Sequence, residues 1–197
     1  MVLQLIMSTA TRIIPESAPG ANPSNIGSLT GIFNPNSIAV ILADDRPTDI
    51  GERVVETVLS SAFGGPKFVI RGDNASTSEQ PLYATLSEAP GQVDLAIVIA
   101  SPHAAPALLE ECVAKKVKGV LLLSSGFEDF GSDCARASLR MKAVLKGSAT
   151  RVVGPNSLGV MVPPLRLNAT PGLPMPLSGT VAVLSESATN GQVLPLD

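Results

Sequence analysis

Residues 36–51, N-S-I-A-V-I-L-A-D-D-R-P-T-D-I-G, decide the fold class of this 197-residue chain. Residues 38–43 form a continuous apolar run, typical of a strand that is buried on both faces. After a short polar turn, Asp49 is a helix N-cap signal, and Glu52 lies three residues on, where it can answer the cap. A buried strand that enters a helix through a tight turn is the first βα unit of a doubly wound fold. Such turns bind phosphates on backbone N–H groups at the positive end of the helix.

Strands and helices continue to alternate along the chain. In the helix that begins at residue 49, one predicted apolar face consists of Ile50, Val54, Val55, Val58 and Leu59. Further strands are predicted over residues 67–70, 94–100, 119–123 and 151–153, and helices over residues 83–87, 104–116 and 135–146. This alternation predicts an α/β fold, a Rossmann-like doubly wound parallel sheet with helices on both faces.

The composition excludes several classes of function. Hydrophobic residues make up 45% of the chain, which allows a large core, and the net charge of −3 provides no basic surface for nucleic acid or an anionic membrane. No apolar run approaches the roughly 18 residues that a membrane span needs. The one histidine, His103, and the two cysteines, Cys112 and Cys134, cannot assemble a metal cluster. We predict reduced thiols in the cytoplasm, with Cys112 as a small core residue.

A series of motifs, in register over residues 32–188, resembles one family. The turn after the first strand resembles G-A-S-x-x-P-G-x-x-G, and residues 94–100 (D-L-A-I-V-I-A) and 124–128 (S-S-G-F-E) follow at the family's spacing. Later segments match as well: G-P-N-S-L-G at 154–159, L-N-A-T at 167–170 and G-T-V-A-V-L-S-E-S-A at 179–188. The chain thus resembles the CoA-binding domain of NDP-forming acyl-CoA synthetases, succinyl-CoA synthetase α subunits and Pat-type protein acetyltransferases.

The resemblance implies a site for CoA or an acyl-CoA, with no catalytic residue. The residues that it assigns to this site are Ala43, Asp44, Asp45, Arg46, Pro47, Thr48, Gly51, Arg71, Ala100, Ser101, Pro102, Ser124, Ser125 and Gly126. Leu42, Asp44 and Thr48 depart from the family turn, because they replace its first glycine, its serine and its second glycine. An ordinary βα connection is therefore the alternative interpretation of this turn. Arg71 stands where the family usually has V-N-P.

The resemblance also implies a division of the chain. Residues 1–31 are predicted to be a flexible N-terminal arm, residues 32–178 the CoA-binding domain, and residues 179–197 the start of a truncated, succinyl-CoA-synthetase-like second domain. In the synthetases a phosphorylated histidine lies later in that second domain, whereas this sequence has no histidine after His103. The 197 residues are expected to be inactive by themselves and to need a downstream domain or a β-type, ATP-grasp subunit.

Three other functions stay open at this stage. The chain could be a non-catalytic module that senses acyl-CoA or docks on a subunit, or the N-terminal part of a Pat-type acetyltransferase. It could also be a degenerate module that keeps the fold and has lost CoA binding. A binding titration with CoA separates the last of these from the others.

Overall fold

The computed structural model describes residues 4–6, 29–43, 49–72, 82–123 and 132–185. In chain order its strands are β1 (Gln4–Ile6), β2 (Ile38–Leu42), β3 (Lys67–Arg71), β4 (Leu82–Tyr83), β5 (Leu95–Ile99), β6 (Gly119–Leu122), β7 (Arg151–Val153), β8 (Val160–Val162), β9 (Leu167–Ala169) and β10 (Val183–Ser185). Its α-helices are α1 (Thr30–Phe33), α2 (Asp49–Ser60), α3 (Ala105–Ala114) and α4 (Ser132–Leu145), and short 3-10 turns cover Leu86–Glu88 and Pro163–Leu165.

The main sheet has six strands in the order β4-β3-β2-β5-β6-β7, and every pair in it is parallel. Counted along the chain from β2, this is the order 3-2-1-4-5-6 of a doubly wound sheet. The predicted fold class is confirmed, and the five strands predicted from apolar runs agree with the structure to within one residue at each end. The parallel arrangement explains those runs, since parallel strands are covered by helices on both faces.

Two cores cover the two faces of the sheet, and β2 contributes to both. Ile38, Val40 and Leu42 point toward α2 and the β8–β9 hairpin, while Ala39 and Ile41 point toward α3 and α4. This is the period-two alternation of a strand. All five residues of β2 are buried, which makes β2 the centre of the packing.

Two local predictions are wrong. Residues 83–87 do not form a helix: Leu82–Tyr83 pairs with β3, and a 3-10 turn follows at Leu86–Glu88. The ring of Tyr83 packs edge-on against Phe68 of β3, with 6.0 Å between the ring centroids, which holds this segment against the sheet. Ile50 is 49% exposed and does not join the buried face of α2, which consists of Val54 and Val58 with the half-buried Val55 and Leu59.

A second, small sheet has the order β10-β1-β8-β9. The segment β1 lies between β10, to which it is antiparallel, and β8, to which it is parallel. The part of the predicted N-terminal arm that the structure describes therefore includes the strand β1, and β10 from the predicted second domain pairs with it. The boundaries between these predicted domains stay a prediction. None of the helices in the described ranges is long and apolar enough to cross a membrane.

Candidate functional site

The carboxyl edge of the main sheet contains its topological switch point. From β2 the chain passes to β3 on one side, and β5 pairs with β2 on the other side. The ends of β2 and β5 lie next to each other there. The backbone N–H of Ala43, just after β2, donates a hydrogen bond to the carbonyl of Ile99, the last residue of β5, at 3.1 Å. In open α/β sheets ligands bind in the crevice at such a point.

The structure brings most of the described candidate residues to this edge. Ala43 follows β2, Gly51 lies buried in the first turn of α2, and Ala100 follows β5 in a buried position. The half-buried pair Ser101 and Pro102 comes next and leads into α3. The other predicted contacts, Asp44, Asp45, Arg46, Pro47, Thr48, Ser124, Ser125 and Gly126, lie outside the described residues.

Ser101 also shapes the start of α3. Its carbonyl accepts hydrogen bonds from the backbone N–H groups of Ala104 and Ala105 at 3.1 and 3.0 Å, and its Oγ accepts from the N–H of Ala104 at 3.3 Å. These contacts satisfy donors that an α-helix leaves without intrahelical partners at its N-terminus. Since α2 and α3 both start at this edge, both direct the positive ends of their dipoles toward it.

Arg71 is the last residue of β3 and pairs in register with Leu42 of β2. Its guanidinium forms an ion pair with Glu52 in the first turn of α2, and its side chain is only 12% exposed. Arg71 is a predicted site residue and Glu52 a predicted cap residue, and the sequence pattern does not connect them. Nineteen residues separate the two in the chain, so no helical or strand spacing relates them.

A pocket of about 260 Å³ opens on the α3 face of the sheet, beside the switch point. Its walls include the end of β2 (Ile41, Leu42, Ala43), Ile70 of β3 with the following Gly72, and Leu108 of α3, with Thr85 and Glu111 adding polar groups. We call it the edge pocket. Its volume exceeds the roughly 150 Å³ of an enclosed apolar cavity that holds a benzene ring. Sequence reasoning did not find Thr85, Leu108 or Glu111, because no motif contains them.

Among the described residues there are two larger clefts, and the first of them lies at the same carboxyl edge. One, of about 650 Å³, lies between the start of α3 and the exposed side of α4, and Ser101, Pro102 and His103 line one wall. Arg140 of α4 closes part of it through a bidentate pair with Glu110, with both N–O distances at 3.0 Å. The other, of about 610 Å³, lies between the C-terminal half of α2 and the segment after β9, at the amino edge of the sheet. We call this one the amino-edge cleft.

Neither the buried cysteine nor a metal cluster provides a reactive centre among the described residues. Cys112 is buried, which confirms the prediction that it belongs to the core, and burial raises the pKa of its thiol to about 12. The thiol is therefore protonated at neutral pH and is no nucleophile. Within the described ranges, no three His, Cys, Asp or Glu side chains come together in a way that could hold a metal ion.

Comparison with known proteins identifies the family. A family model described as a CoA binding domain matches residues 36–163. This chain belongs to the CoA binding domain family. The matched range extends from just before β2 to the 3-10 turn after β8, and it includes the switch point, the edge pocket and Arg71.

The CoA binding domain is similar to parts of larger acid–CoA ligases. It is 32% identical over 171 residues to the alpha subunit of acetate–CoA ligase (ADP-forming) I from Pyrococcus furiosus, a match that covers 85% of this chain and 37% of that protein. It is 30% identical over 158 residues to 4-hydroxybutyrate–CoA ligase (ADP-forming) from Nitrosopumilus maritimus, covering 79% of this chain and 22% of the ligase. The chain thus spans about a third or less of the relatives it matches.

A solved structure agrees with the fold. The dinucleotide-forming acetyl-coenzyme A synthetase 1 of Candidatus Korarchaeum cryptofilum, in complex with phosphate and ADP, superposes with a TM-score of 0.66 at 28% sequence identity. The match covers 74% of this chain and 31% of that one. Both the predicted family and the predicted Rossmann-like architecture are confirmed. The chain is a CoA-binding domain similar to a portion of ADP-forming acyl-CoA synthetases.

The described residues fit the nucleotide end of CoA. The edge pocket is mainly apolar, as a purine ring requires, and it adjoins the end of β2, where the turn to α2 begins. The first turn of α2 directs backbone N–H groups toward the same edge, as pyrophosphate requires. Arg71 adds a cation at the end of β3. A mainly apolar pocket, the start of a helix and an arginine are thus adjacent at one edge of the sheet.

Proposed function

We propose that this chain binds CoA or an acyl-CoA by its nucleotide end at the carboxyl edge of the sheet. In this role the domain holds the CoA thioester for an NDP-forming acid–CoA ligase. The observation that carries the proposal is the position of the edge pocket, beside the switch point of a 3-2-1-4-5-6 sheet in a chain of the CoA binding domain family. The residues we assign to the ligand are those that the sequence analysis named.

The direct test is isothermal titration calorimetry of the 197-residue chain with CoA, acetyl-CoA and NAD. We expect CoA and acetyl-CoA to bind with dissociation constants between micromolar and millimolar, and NAD to bind more weakly. NAD binders of this fold usually have an acidic residue at the end of the second strand to accept the ribose hydroxyls, and here that residue is Arg71. Binding of NAD without binding of CoA would overturn the proposal.

The turn between β2 and α2 allows a sharper test. Asp44 brings a negative charge to a phosphate site, and at about 4 Å and an effective dielectric near 20 a like-charge pair costs on the order of 4 kcal/mol. We therefore expect the double variant Asp44→Ser/Thr48→Gly to bind CoA about tenfold more tightly or better, with a gain that shrinks as salt rises. Arg46→Ala should weaken binding.

A matched control separates this local effect from net charge. Glu56→Gln also removes one negative charge, but Glu56 lines the amino-edge cleft, so we expect unchanged affinity for CoA. If the double variant and Arg46→Ala both leave the affinity unchanged, the phosphates do not lie at this turn. In that case the interpretation as a degenerate module is the better one.

The wider role follows from the relatives. The Pyrococcus furiosus protein is named as the alpha subunit of an ADP-forming acetate–CoA ligase, so we infer that this domain works with an ATP-grasp domain or a β-type subunit, in the cytoplasm. Mixing this chain with candidate β-type subunits and assaying acid-dependent formation of acyl-CoA tests the pairing. Formation of acyl-CoA by the 197 residues alone would contradict it.

A further inference from the structure

Arg71 occupies a position that determines nucleotide selectivity in Rossmann-like folds. It ends β3, the second strand of the 3-2-1-4-5-6 order, and it is adjacent in register to Leu42 at the end of β2. In dinucleotide-binding sheets, an acid at this strand end accepts hydrogen bonds from ribose hydroxyls, whereas a nearby arginine accommodates a phosphate on the ribose. An arginine here therefore points to a ribose that carries phosphate.

The surroundings of Arg71 restrict where its guanidinium can act. The side chain is 12% exposed and forms an ion pair with Glu52, which lies in the first turn of α2. The neighbouring Ile70 and Gly72 line the edge pocket. The guanidinium thus lies against the start of α2, where a pyrophosphate would bind, at the end of a strand, and the residues on either side of Arg71 line the edge pocket. The ribose that joins the pyrophosphate to the purine passes the end of β3.

We propose that Arg71 binds the 3′-phosphate of CoA and makes the site selective for CoA over its 3′-dephospho form. This inference rests on the proposed function and adds the group that Arg71 recognises. A guanidinium carries five N–H donors in a planar fork, so it contacts a carboxylate and a phosphate at the same time. Glu52 then acts as a positioning residue that fixes the fork at the end of β3.

The experiment compares CoA with 3′-dephospho-CoA by calorimetry, using the wild-type chain. We expect CoA to bind about 10- to 100-fold more tightly, the range that charge-assisted hydrogen bonds to phosphate provide. Arg71→Gln should remove this preference by weakening CoA, with little change for 3′-dephospho-CoA. Arg71→Lys should restore a part of the preference, since lysine keeps the charge and loses the fork.

The control is Arg166→Gln, which removes the same charge at the amino-edge cleft and should leave the preference unchanged. Glu52→Asp keeps the charge and shortens the side chain, so it should reduce the preference through the position of the guanidinium alone, while the protein stays folded by circular dichroism. Equal binding of the two ligands by the wild-type chain would overturn the role of Arg71 and leave the proposed function intact. If neither ligand binds, both proposals are wrong. If Arg71→Gln fails to fold, Arg71→Lys decides the role of Arg71, because an unchanged preference in that variant would overturn it.

Discussion

Asp94 connects three segments of the chain at the amino edge of the sheet. Its Oδ2 accepts hydrogen bonds from the backbone N–H and the Nδ2 of Asn36, both at 3.0 Å, and its Oδ1 lies 2.9 Å from Lys118 Nζ. Its own backbone N–H donates to Ser37 Oγ at 3.0 Å. Burial by itself raises the pKa of the Asp94 carboxyl, but the hydrogen bonds from Lys118 and Asn36 and the charge of Lys118 outweigh it, so the pKa lies below its ordinary value.

This lowered pKa makes stability depend on pH. A carboxyl that titrates lower in the folded than in the unfolded chain contributes its full stabilisation above the unfolded pKa, and that contribution is lost as pH falls through the folded pKa. We expect Asp94→Asn to lower the free energy of unfolding by about 1–3 kcal/mol at pH 7, because buried donors lose a charged acceptor. The deficit should shrink below the ordinary aspartate pKa of 3.8. Urea unfolding at several pH values measures it.

The control for this prediction is Asp133→Asn. Asp133 is 88% exposed and lies 3.5 Å from Arg136 in a surface pair, so its loss should change stability by less than about 0.5 kcal/mol. A deficit for Asp94→Asn that stays constant down to pH 2 would show that the charge of Asp94 does not matter and that the deficit comes from replacing an acceptor oxygen with an NH2 donor.

At the scale of elements, α2 shows how far a sequence pattern extends. Apolar residues that repeat about every 3.6 positions predict the helix and its buried positions Val54 and Val58. Such a repeat puts the apolar side chains on one face of the helix, and that face packs against the core. The same repeat predicts that Ile50 lies on this apolar face, and that prediction is wrong. Ile50 lies in the first turn, at the edge of the sheet, where it is half exposed. Periodicity indicates which face is apolar, but not where the surface beneath it ends.

The site was less predictable than the helices and strands. Residue types and family motifs led to Ala43, Ala100 and Ser101, because they follow apolar strands whose carboxyl ends meet at one edge. The ion pair between Glu52 and Arg71 and the wall that Leu108 contributes to the edge pocket depend on side chains that only the folded sheet brings together. No spacing rule in the sequence encodes those contacts.

The turn after β7 depends on a glycine. Gly154 has φ of +112°, and a Cβ at this position would lie 2.2 Å from the carbonyl oxygen of Leu122, the last residue of β6. We expect Gly154→Ala to lower the free energy of unfolding by more than about 3 kcal/mol, since backbone strain of about 1–3 kcal/mol adds to a contact that only a backbone shift relieves. Chemical denaturation measures the loss.

Gly172 is the matched control. It also has a positive φ, +85°, but a Cβ there would meet nothing within 4 Å. Gly172→Ala should therefore cost only the strain of a left-handed residue, about 1–2 kcal/mol. Equal losses for the two variants would contradict the close approach of Gly154 to β6. Because β6 leads directly to residues 124–126, we also expect Gly154→Ala to weaken binding of CoA.

At the scale of the whole molecule, the sheet separates two edges with different properties. The strands β2, β3 and β5 end at the carboxyl edge, where α2 and α3 begin and the edge pocket opens. The amino edge contains the Asp94 cluster and the amino-edge cleft. All six strands are parallel, so every strand end of one kind falls on the same side. A ligand at one edge therefore leaves the turns of the other edge in contact with solvent.

This separation predicts where CoA changes the dynamics of the chain. At a CoA concentration of 100 times its dissociation constant, binding stabilises the folded state by about 2.7 kcal/mol, which for a chain of this size raises Tm by roughly 5–10 °C. Hydrogen exchange through local opening should slow at the carboxyl-edge turns, residues 71–72 and 101–104, and stay unchanged at the amino-edge turns, residues 61–65 and 171–174. Mass-spectrometric exchange with and without CoA measures both sets. Protection confined to the amino-edge turns would mean that CoA occupies the other cleft, and a rise in Tm without protection at the carboxyl edge would equally contradict the site.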